Sequence, residues 1–303
     1  MFNKKTLLAS LFASACSAAV FAAEEPRSPH SFTGNVGIYS QYIFRGLTQT
    51  NEDPALQGGL DYSHSPTGLY VGAWGSNISW LRENFSTPAA ISGQYDEGGS
   101  LELDLYAGLR GNFGKSDFTY DVGYLYYWYP GEPRSAAEGC VIGTKSCPDA
   151  DTQEVYAGLG WKWFTAKYSY SLDDTFGWPG ADGTWYLDLS AAIPLGGTGL
   201  TLGVHYGKQE YDGDVPGTGI SYDSFLSYED WRVSLAYDLG KTSSVLTGAE
   251  VGVMYTDTSG ANTCGYGSRR EATSHPNCAG TGFGPYPTDI ADNQVTFWVK
   301  KTF

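Results

Sequence analysis

Apolar and polar residues alternate with a period of two along most of the chain. Leu101, Leu103 and Leu105, for example, alternate with Glu102 and Asp104. This period is typical of β-strands that have one apolar and one polar face. The same pattern is clear in 101–110, 118–128, 154–163, 164–171, 185–193 and 293–303, and weaker in 33–46, 55–64, 68–80, 199–208, 228–238 and 245–257. The sequence therefore predicts about twelve strands.

The connections between these strands alternate between long and short. The long ones are 47–54, 81–99, 130–151, 173–183, 209–227 and 258–292, and the short ones are 64–68, 112–117, the 163/164 junction, 194–199 and 239–244. Outer-membrane barrels have short periplasmic turns and long extracellular loops in this order. A soluble β-sandwich also has alternating strands, but it does not need six long loops at one end. The pattern predicts an all-β fold, a transmembrane antiparallel up-and-down β-barrel with an even strand count.

The last predicted strand ends on Phe303, and a final amphipathic strand that closes on phenylalanine is typical of outer-membrane barrels. In lipid, a closed barrel is the one sheet that leaves no backbone edge unsatisfied. We therefore expect Phe303 to act as the assembly signal for the barrel-assembly machinery. Outer-membrane lipid and lipopolysaccharide are the expected partners of the apolar strand faces.

The N-terminus has the features of a secretory signal. Lys4 and Lys5 precede a short apolar run, and small residues follow up to Ala22. We expect residues 1–22 to be a cleaved signal peptide, 23–32 a periplasmic tail and 33–303 the barrel, in the outer membrane of a Gram-negative bacterium. Lipidation at Cys16 is an alternative that the surrounding residues disfavour.

Composition agrees with an exported barrel. The chain has 15% aromatic residues, with 23 Tyr and 9 Trp, and these two residue types collect at lipid–water interfaces. No run of about 18 apolar residues follows the signal, so no transmembrane helix is expected. The formal net charge of −15 makes nucleic acid an unexpected partner.

The cysteines of the exported chain fall into two local pairs, and oxidising compartments favour disulfides. Four cysteines allow three pairings, and we favour Cys140–Cys147 and Cys264–Cys278 because each closes a short loop. A zinc site is the alternative, but the spacings lack the usual ligand signature. We expect no metal and no cofactor.

If the apolar faces meet lipid, a set of mostly charged residues lines the lumen. The pore-lining candidates are Arg45, Asp61, Trp74, Glu102, Asp104, Arg110, Asp121, Glu154, Lys162, Lys167, Asp188, His205, Arg232 and Glu250. A dry interior would have to pair these charges, whereas a water-filled interior would not. Both a narrow open bore and a bore plugged by salt bridges stay open at this point.

The functional hypothesis is a porin-like channel for passive diffusion of small hydrophilic solutes. Acidic long connections, including Asp173, Asp174, Asp212 and Asp214, predict a mild preference for cations. A surface receptor or adhesin with disulfide-stapled loops is the alternative. An outer-membrane lipid-modifying enzyme is a third hypothesis, disfavoured because His205 points into the lumen and no G-x-S-x-G motif occurs.

Two segments resemble a known family. Residues 40–62, which begin Ser-Gln-Tyr-Ile-Phe-Arg-Gly-Leu-Thr, and residues 68–78 are similar to the start of the TorF family of porin-like proteobacterial proteins. The resemblance implies an outer-membrane barrel and suggests a pore. It implies no catalytic residues.

Overall fold

The computed structural model describes residues 28–83, 94–134, 148–267 and 288–303. Twelve long strands form the main sheet. They are β1 (His30–Tyr39), β4 (Ala55–His64), β5 (Leu69–Asn77), β7 (Leu101–Asn112), β8 (Phe118–Trp128), β10 (Thr152–Trp161), β11 (Phe164–Ser171), β12 (Trp185–Pro194), β13 (Leu200–Glu210), β14 (Tyr228–Asp238), β15 (Ala249–Ser259) and β16 (Gln294–Thr302).

These strands form a closed antiparallel barrel in which each strand pairs with its neighbours along the chain. The barrel closes between β1 and β16, where Asn35 lies opposite Thr302 and Tyr39 lies opposite Trp298. Gly34 and Phe303 extend this pairing through reciprocal backbone hydrogen bonds of 2.8 and 2.9 Å. A closed barrel has no sheet edge, so every strand finds hydrogen-bond partners on both sides. The predicted fold class is confirmed.

The outer face of the barrel is apolar and exposed. Phe32, Leu60 and Phe297 keep 77%, 67% and 59% of their surfaces accessible. Such an exposed apolar band would be costly in water, but it is what a barrel presents to hydrocarbon. Because the inward positions carry the polar residues, the chain is an outer-membrane β-barrel.

Short and long connections alternate around the barrel, as predicted. The short turns are 65–68, 113–117, 162–163, 195–199 and 239–248, and the long connections are 40–54, 78–100, 129–151, 172–184, 211–227 and 260–293. Short turns mark the periplasmic side of such barrels. We call the two parts of the lumen the long-loop half and the short-turn half.

Short strands, helices and 3₁₀ turns lie in the connections between the long strands. They are β2 (Ile43–Phe44), β3 (Leu47–Thr48), β6 (Tyr95–Gly98), β9 (Gly131–Pro133), α1 (Trp80–Glu83), α2 (Asp223–Leu226), α3 (Thr263–Tyr266) and two 3₁₀ turns at Leu239–Lys241 and Ser244–Leu246. No helix of the described ranges is long and apolar enough to cross a membrane.

Two strand boundaries differ from the prediction. The first strand was expected over 33–46, but β1 runs from His30 to Tyr39 and the chain then turns into the barrel. The strand expected over 245–257 begins only at Ala249, because Gly248 has a φ of 81° and a 3₁₀ turn precedes it. The signal peptide predicted over 1–22 lies outside the described residues and stays a prediction.

Candidate functional site

Residues 40–54 form an inward-folded segment that we call the lumen hairpin. Its strands β2 and β3 pair Ile43 with Thr48 and Phe44 with Leu47. The two residues between them, Arg45 and Gly46, have φ angles of 46° and 82°. Positive φ at both central residues is the geometry of a tight type I′ hairpin turn. Arg45 therefore lies at the tip of the hairpin.

Gly46 is required at the tip for two reasons. Its positive φ is strained for any residue with a side chain. A Cβ at this position would also lie 2.5 Å from the Cβ of Asp230 on β14 and 3.0 Å from Thr258 on β15. The tip is thus pressed against the barrel wall with no room for a methyl group.

Arg45 reaches the wall formed by β10 and β13. Its guanidinium donates to both carboxylate oxygens of Glu154 at 2.8 Å and to Oε1 of Gln209 at 2.8 Å. Its Cζ also lies 4.9 Å from the ring centre of Phe44 and 4.4 Å from that of Tyr186, which are cation–π distances. Burial lowers the pKa of Arg45, but the ion pair with Glu154 outweighs it and raises that pKa above its ordinary value. Arg45 is therefore a permanently charged anchor.

Other parts of the hairpin contact further strands. Tyr42 donates its hydroxyl to Glu102 on β7 at 2.6 Å. Gln41 donates to Gln294 on β16 at 3.0 Å. From the wall, the Tyr228 hydroxyl on β14 donates to the backbone carbonyl of the tip arginine at 2.8 Å. The hairpin thus spans the lumen and is held by side chains from β7, β10, β13, β14 and β16.

The long-loop half of the lumen is dry. Its wall positions are almost fully buried: Glu102, Tyr127, Thr152, Glu154 and Thr296. Above the hairpin, apolar residues of the long connections pack into the same core: Tyr222, Phe225, Leu226, Tyr266 and Ile290. The lumen hairpin therefore closes this half of the barrel.

The short-turn half differs, because its charged residues are only partly buried. Arg110 lies with its Cζ 4.8 Å from the ring centre of Tyr70, and Lys167 with its Nζ 4.3 Å from that of Tyr156. At the rim, Lys300 and Glu250 form an ion pair of 3.0 Å whose side chains are 29% and 24% exposed. This half is a vestibule of mixed charge open to water at the short-turn end.

A layer of tyrosines lies between the two halves. Tyr70 donates to Asp121 at 2.6 Å and also hydrogen-bonds to Tyr156. Tyr106 donates to Asp61 at 2.8 Å. Tyrosine hydroxyls therefore donate to a lumen carboxylate at both of these positions.

His205 bridges two carboxylates in the middle of the lumen. Its Nε2 lies 2.9 Å from Asp230, and its Nδ1 lies 3.3 Å from Asp188 and 2.9 Å from the Ser190 hydroxyl. The order Ser190–His205–Asp230 is that of a serine-hydrolase triad. The Ser190 hydroxyl, however, donates to Asp188, so its proton is not directed at the imidazole. With Arg232 directly opposite His205 in the register, the cluster is suited to cross-linking strands β12, β13 and β14.

Two of the other pore-lining candidates lie together on the wall. Trp74 is buried with its ring centre 5.5 Å from that of Tyr42. Asp104 lies directly opposite Trp74 in the strand register. Its Oδ1 is buried and has no hydrogen-bond partner among the residues the structure describes.

Lys162 is a correction to the predicted lining. It lies in the two-residue turn after β10 with a φ of 55°, and its Nζ is 4.7 Å from the ring centre of the outward-facing Trp161. Strand β10 ends at Trp161, so Lys162 is not part of the alternation that would have directed its side chain into the lumen. Arg45 does lie in the lumen, but the hairpin carries it there and not a wall strand.

The cysteines are only partly covered. Cys264, in α3, is disulfide-bonded. Cys140, Cys147 and Cys278 lie outside the described residues, so both pairings stay predictions. Within the described ranges, no group of three or more His, Cys, Asp or Glu residues is placed to hold a metal ion.

Closed barrel, apolar outer face and internal hairpin together define an outer-membrane barrel with a partly plugged lumen. The chain belongs to the family described as bacterial protein of unknown function (Gcw_chp), which matches residues 23–280. The TorF name suggested by the resemblance is not confirmed. No curated protein matches the chain.

Several solved barrels are similar in overall shape. OmpF of Salmonella typhi is 10% identical, with 90% of this chain and 97% of that chain covered and a TM-score of 0.38. Omp33 of Acinetobacter baumannii is 9% identical, with 90% and 97% covered and a TM-score of 0.38. The toluene transporter TodX of Pseudomonas putida is 11% identical, with 90% and 88% covered and a TM-score of 0.41. At these values the likeness carries no argument about function.

The alternation in the sequence did not predict the hairpin or its contacts with Gln209 and Tyr228. One sign was present: Tyr42, Ile43 and Phe44 are consecutive apolar residues that break the period of two. The resemblance also drew attention to residues 40–62, the segment that contains the hairpin. Neither sign says where in the barrel such a segment would pack.

Proposed function

We propose that the protein is a cation-preferring outer-membrane channel for small hydrophilic solutes, with the lumen hairpin as its closing element. The observation that carries this proposal is the contrast along the bore. The vestibule is charged and partly exposed, and the closed part is filled by the 15-residue segment 40–54 with apolar residues of the long connections packed above it. A segment of this kind can move without unfolding the barrel.

The contacts of the hairpin suit a reversible closure. Arg45, Gln41 and Tyr42 bind wall side chains through polar groups. Backbone hydrogen bonds tie the hairpin to two long connections, from Thr48 N to the Ile290 carbonyl at 3.0 Å and from Ser79 N to the Gln49 carbonyl at 2.8 Å. The strand ladder of the barrel does not include the hairpin. Its displacement would therefore break side-chain contacts and a few backbone hydrogen bonds to the long connections, and it would leave the strand ladder of the barrel in place.

An excess of buried carboxylates supports the cation preference. The buried acidic residues are Asp61, Glu102, Asp104, Glu154 and Asp230, whereas the buried basic side chains are Arg45 and His205. Carboxylates that line a narrow passage favour cations over anions. The acidic long connections add a weaker contribution that salt screens over about 8–10 Å.

Planar-bilayer recording of the folded barrel in a potassium chloride gradient tests this proposal. Folding is verified first by the different gel mobility of unheated and boiled samples. We expect discrete openings with a cation-selective reversal potential. Neutralising the Asp173/Asp174 and Asp212/Asp214 pairs should shift that potential toward zero, and more so at low salt. A folded barrel without conductance above the lipid background would contradict the channel and favour a surface receptor.

A further inference from the structure

The carboxylate of Asp104 stands out among the buried charges. It is only 1% exposed, and its Oδ1 accepts no hydrogen bond within the described part of the chain. A buried charge without a partner is strongly unfavourable, so a site of this kind needs either a proton or a cation. The neighbouring Glu102 is equally buried.

The nearby basic residues are engaged elsewhere. Arg45 donates to both carboxylate oxygens of Glu154 at 2.8 Å, on the same side of the barrel two strands away. Lys167 lies over the ring of Tyr156 at 4.3 Å. Glu102 and Glu154 add further negative charge around Asp104. The charge balance beneath the hairpin is therefore negative at Asp104.

The surroundings of Asp104 are aromatic. Its cross-strand neighbours are Trp74 on β5 and Tyr127 on β8. Tyr42 of the hairpin packs against Trp74, with ring centres 5.5 Å apart. Organic ammonium groups bind to sites of this kind, where a carboxylate supplies the opposite charge and aromatic ring faces supply cation–π contacts.

A divalent metal ion fits this site poorly. Calcium takes six to eight oxygen ligands, and magnesium requires near-octahedral geometry. Here the oxygens of Glu102 already accept the hydroxyls of Tyr42 at 2.6 Å and Tyr129 at 2.9 Å. An ammonium group needs only a few acceptors and gains from the ring faces.

We infer that Glu102, Asp104 and the rings of Trp74, Tyr42 and Tyr127 form a binding site for the primary ammonium group of a small amine solute. That this amine is also the transported solute rests on the proposed channel function, whereas binding of the amine does not. Because Tyr42 belongs to the lumen hairpin and also donates to Glu102, an arriving amine would compete with the hairpin for that carboxylate. Occupancy would thereby loosen the closing element.

The experiment measures binding on the folded, detergent-solubilised barrel, independently of conductance. Methylammonium chloride is titrated by calorimetry, with sodium chloride at the same ionic strength as the reference. A ligand that binds only the folded state also raises the temperature at which the folded gel band is lost. We expect saturable methylammonium binding and a rise in that temperature.

Two variants and a control define the site. Asp104→Asn should weaken methylammonium binding about tenfold or more, since a hydrogen bond to a charged group is lost. Without ligand, the same variant should be more heat-stable than the wild type, because it removes an unpaired buried charge. Trp74→Leu should weaken binding while keeping the carboxylates. Asp117→Asn, which changes an exposed carboxylate in a short turn, should leave binding unchanged.

Unchanged binding by both Asp104→Asn and Trp74→Leu would overturn the inference, as would a wild type that binds no methylammonium. Equal effects of sodium and methylammonium would reassign the site to a monovalent metal ion. Binding without conductance would keep the site and contradict only the channel.

Discussion

The two halves of the lumen stabilise their inward-facing charged side chains in different ways. In the long-loop half, Glu154 is buried and meets a fixed partner, the Arg45 fork at 2.8 Å. In the short-turn half, Lys300 and Glu250 are partly exposed, and water can share in their solvation. Buried charges require paired geometry, whereas exposed charges are screened and contribute little. The difference shows that the closed half depends on the lumen hairpin and the long connections packed on it, whereas the short-turn half depends on neither.

The largest effect is expected for Arg45→Ala. The substitution leaves Glu154 buried without its partner, and removing one member of a buried pair costs about 3–5 kcal/mol. The lumen hairpin should leave its closed position, and the channel should spend far more time open in bilayer recordings. Lys241→Ala, which removes an exposed charge at a short turn, is the control.

A second variant separates the effect of an unpaired Glu154 carboxylate from the effect of losing the Arg45 side chain. The double variant Arg45→Ala/Glu154→Gln should close more often than Arg45→Ala alone, because the carboxylate that paired with Arg45 is then uncharged. If the double variant and the single variant have the same open time, the ion pair is not what holds the hairpin.

Gly46→Ala should have a smaller effect in the same direction. A side chain at a φ of 82° costs about 1–3 kcal/mol, and the added methyl would meet Asp230. We expect more frequent openings with unchanged unitary conductance. Gly217→Ala also changes a residue with positive φ, 75°, but nothing lies within 4 Å of its Cβ position. Similar behaviour of the two variants would argue against contact at the tip.

Substitution in the vestibule should change the size of the current but not the gating. Arg110→Gln removes a partly exposed positive charge beside Tyr70. Exposed charges act through a screened field, so unitary conductance should change modestly and less at high salt. A large change in open time would show that the two halves are coupled.

The smallest effect is expected for Cys264→Ser. The residue is disulfide-bonded in a long connection outside the strand ladder. The barrel should keep its folded gel mobility and its conductance after this change or after reduction. Peptide mapping under non-reducing conditions identifies the partner, and a partner other than Cys278 would contradict the predicted pairing.

The barrel could be predicted from the sequence because lipid imposes a simple rule on each strand. Leu101, Leu103 and Leu105 must face outward, and their neighbours must then face inward. The closed half could not be predicted in the same way. Arg45 and Glu154 are 109 residues apart in the chain, and no local pattern announces a contact across the lumen.

In the candidate site, too, the sequence predicted which residues face inward but not how they contact each other. Glu102 and Asp104 were correctly placed on an inward face by their alternation. What makes Asp104 unusual is the absence of a hydrogen-bond partner for its Oδ1 among the described residues. That property depends on where Arg45, Lys167 and the hairpin pack, and alternation contains no information about it.

Deletion of the hairpin tip shows whether residues 40–54 close the lumen. Residues 43–48 are replaced by a short glycine linker, and unitary conductance is compared with the wild type in the same bilayers after folding is verified by gel mobility. We expect the variant to form a folded barrel that is open most of the time and carries a current several times larger. A folded deletion variant with the conductance and open time of the wild type would contradict it.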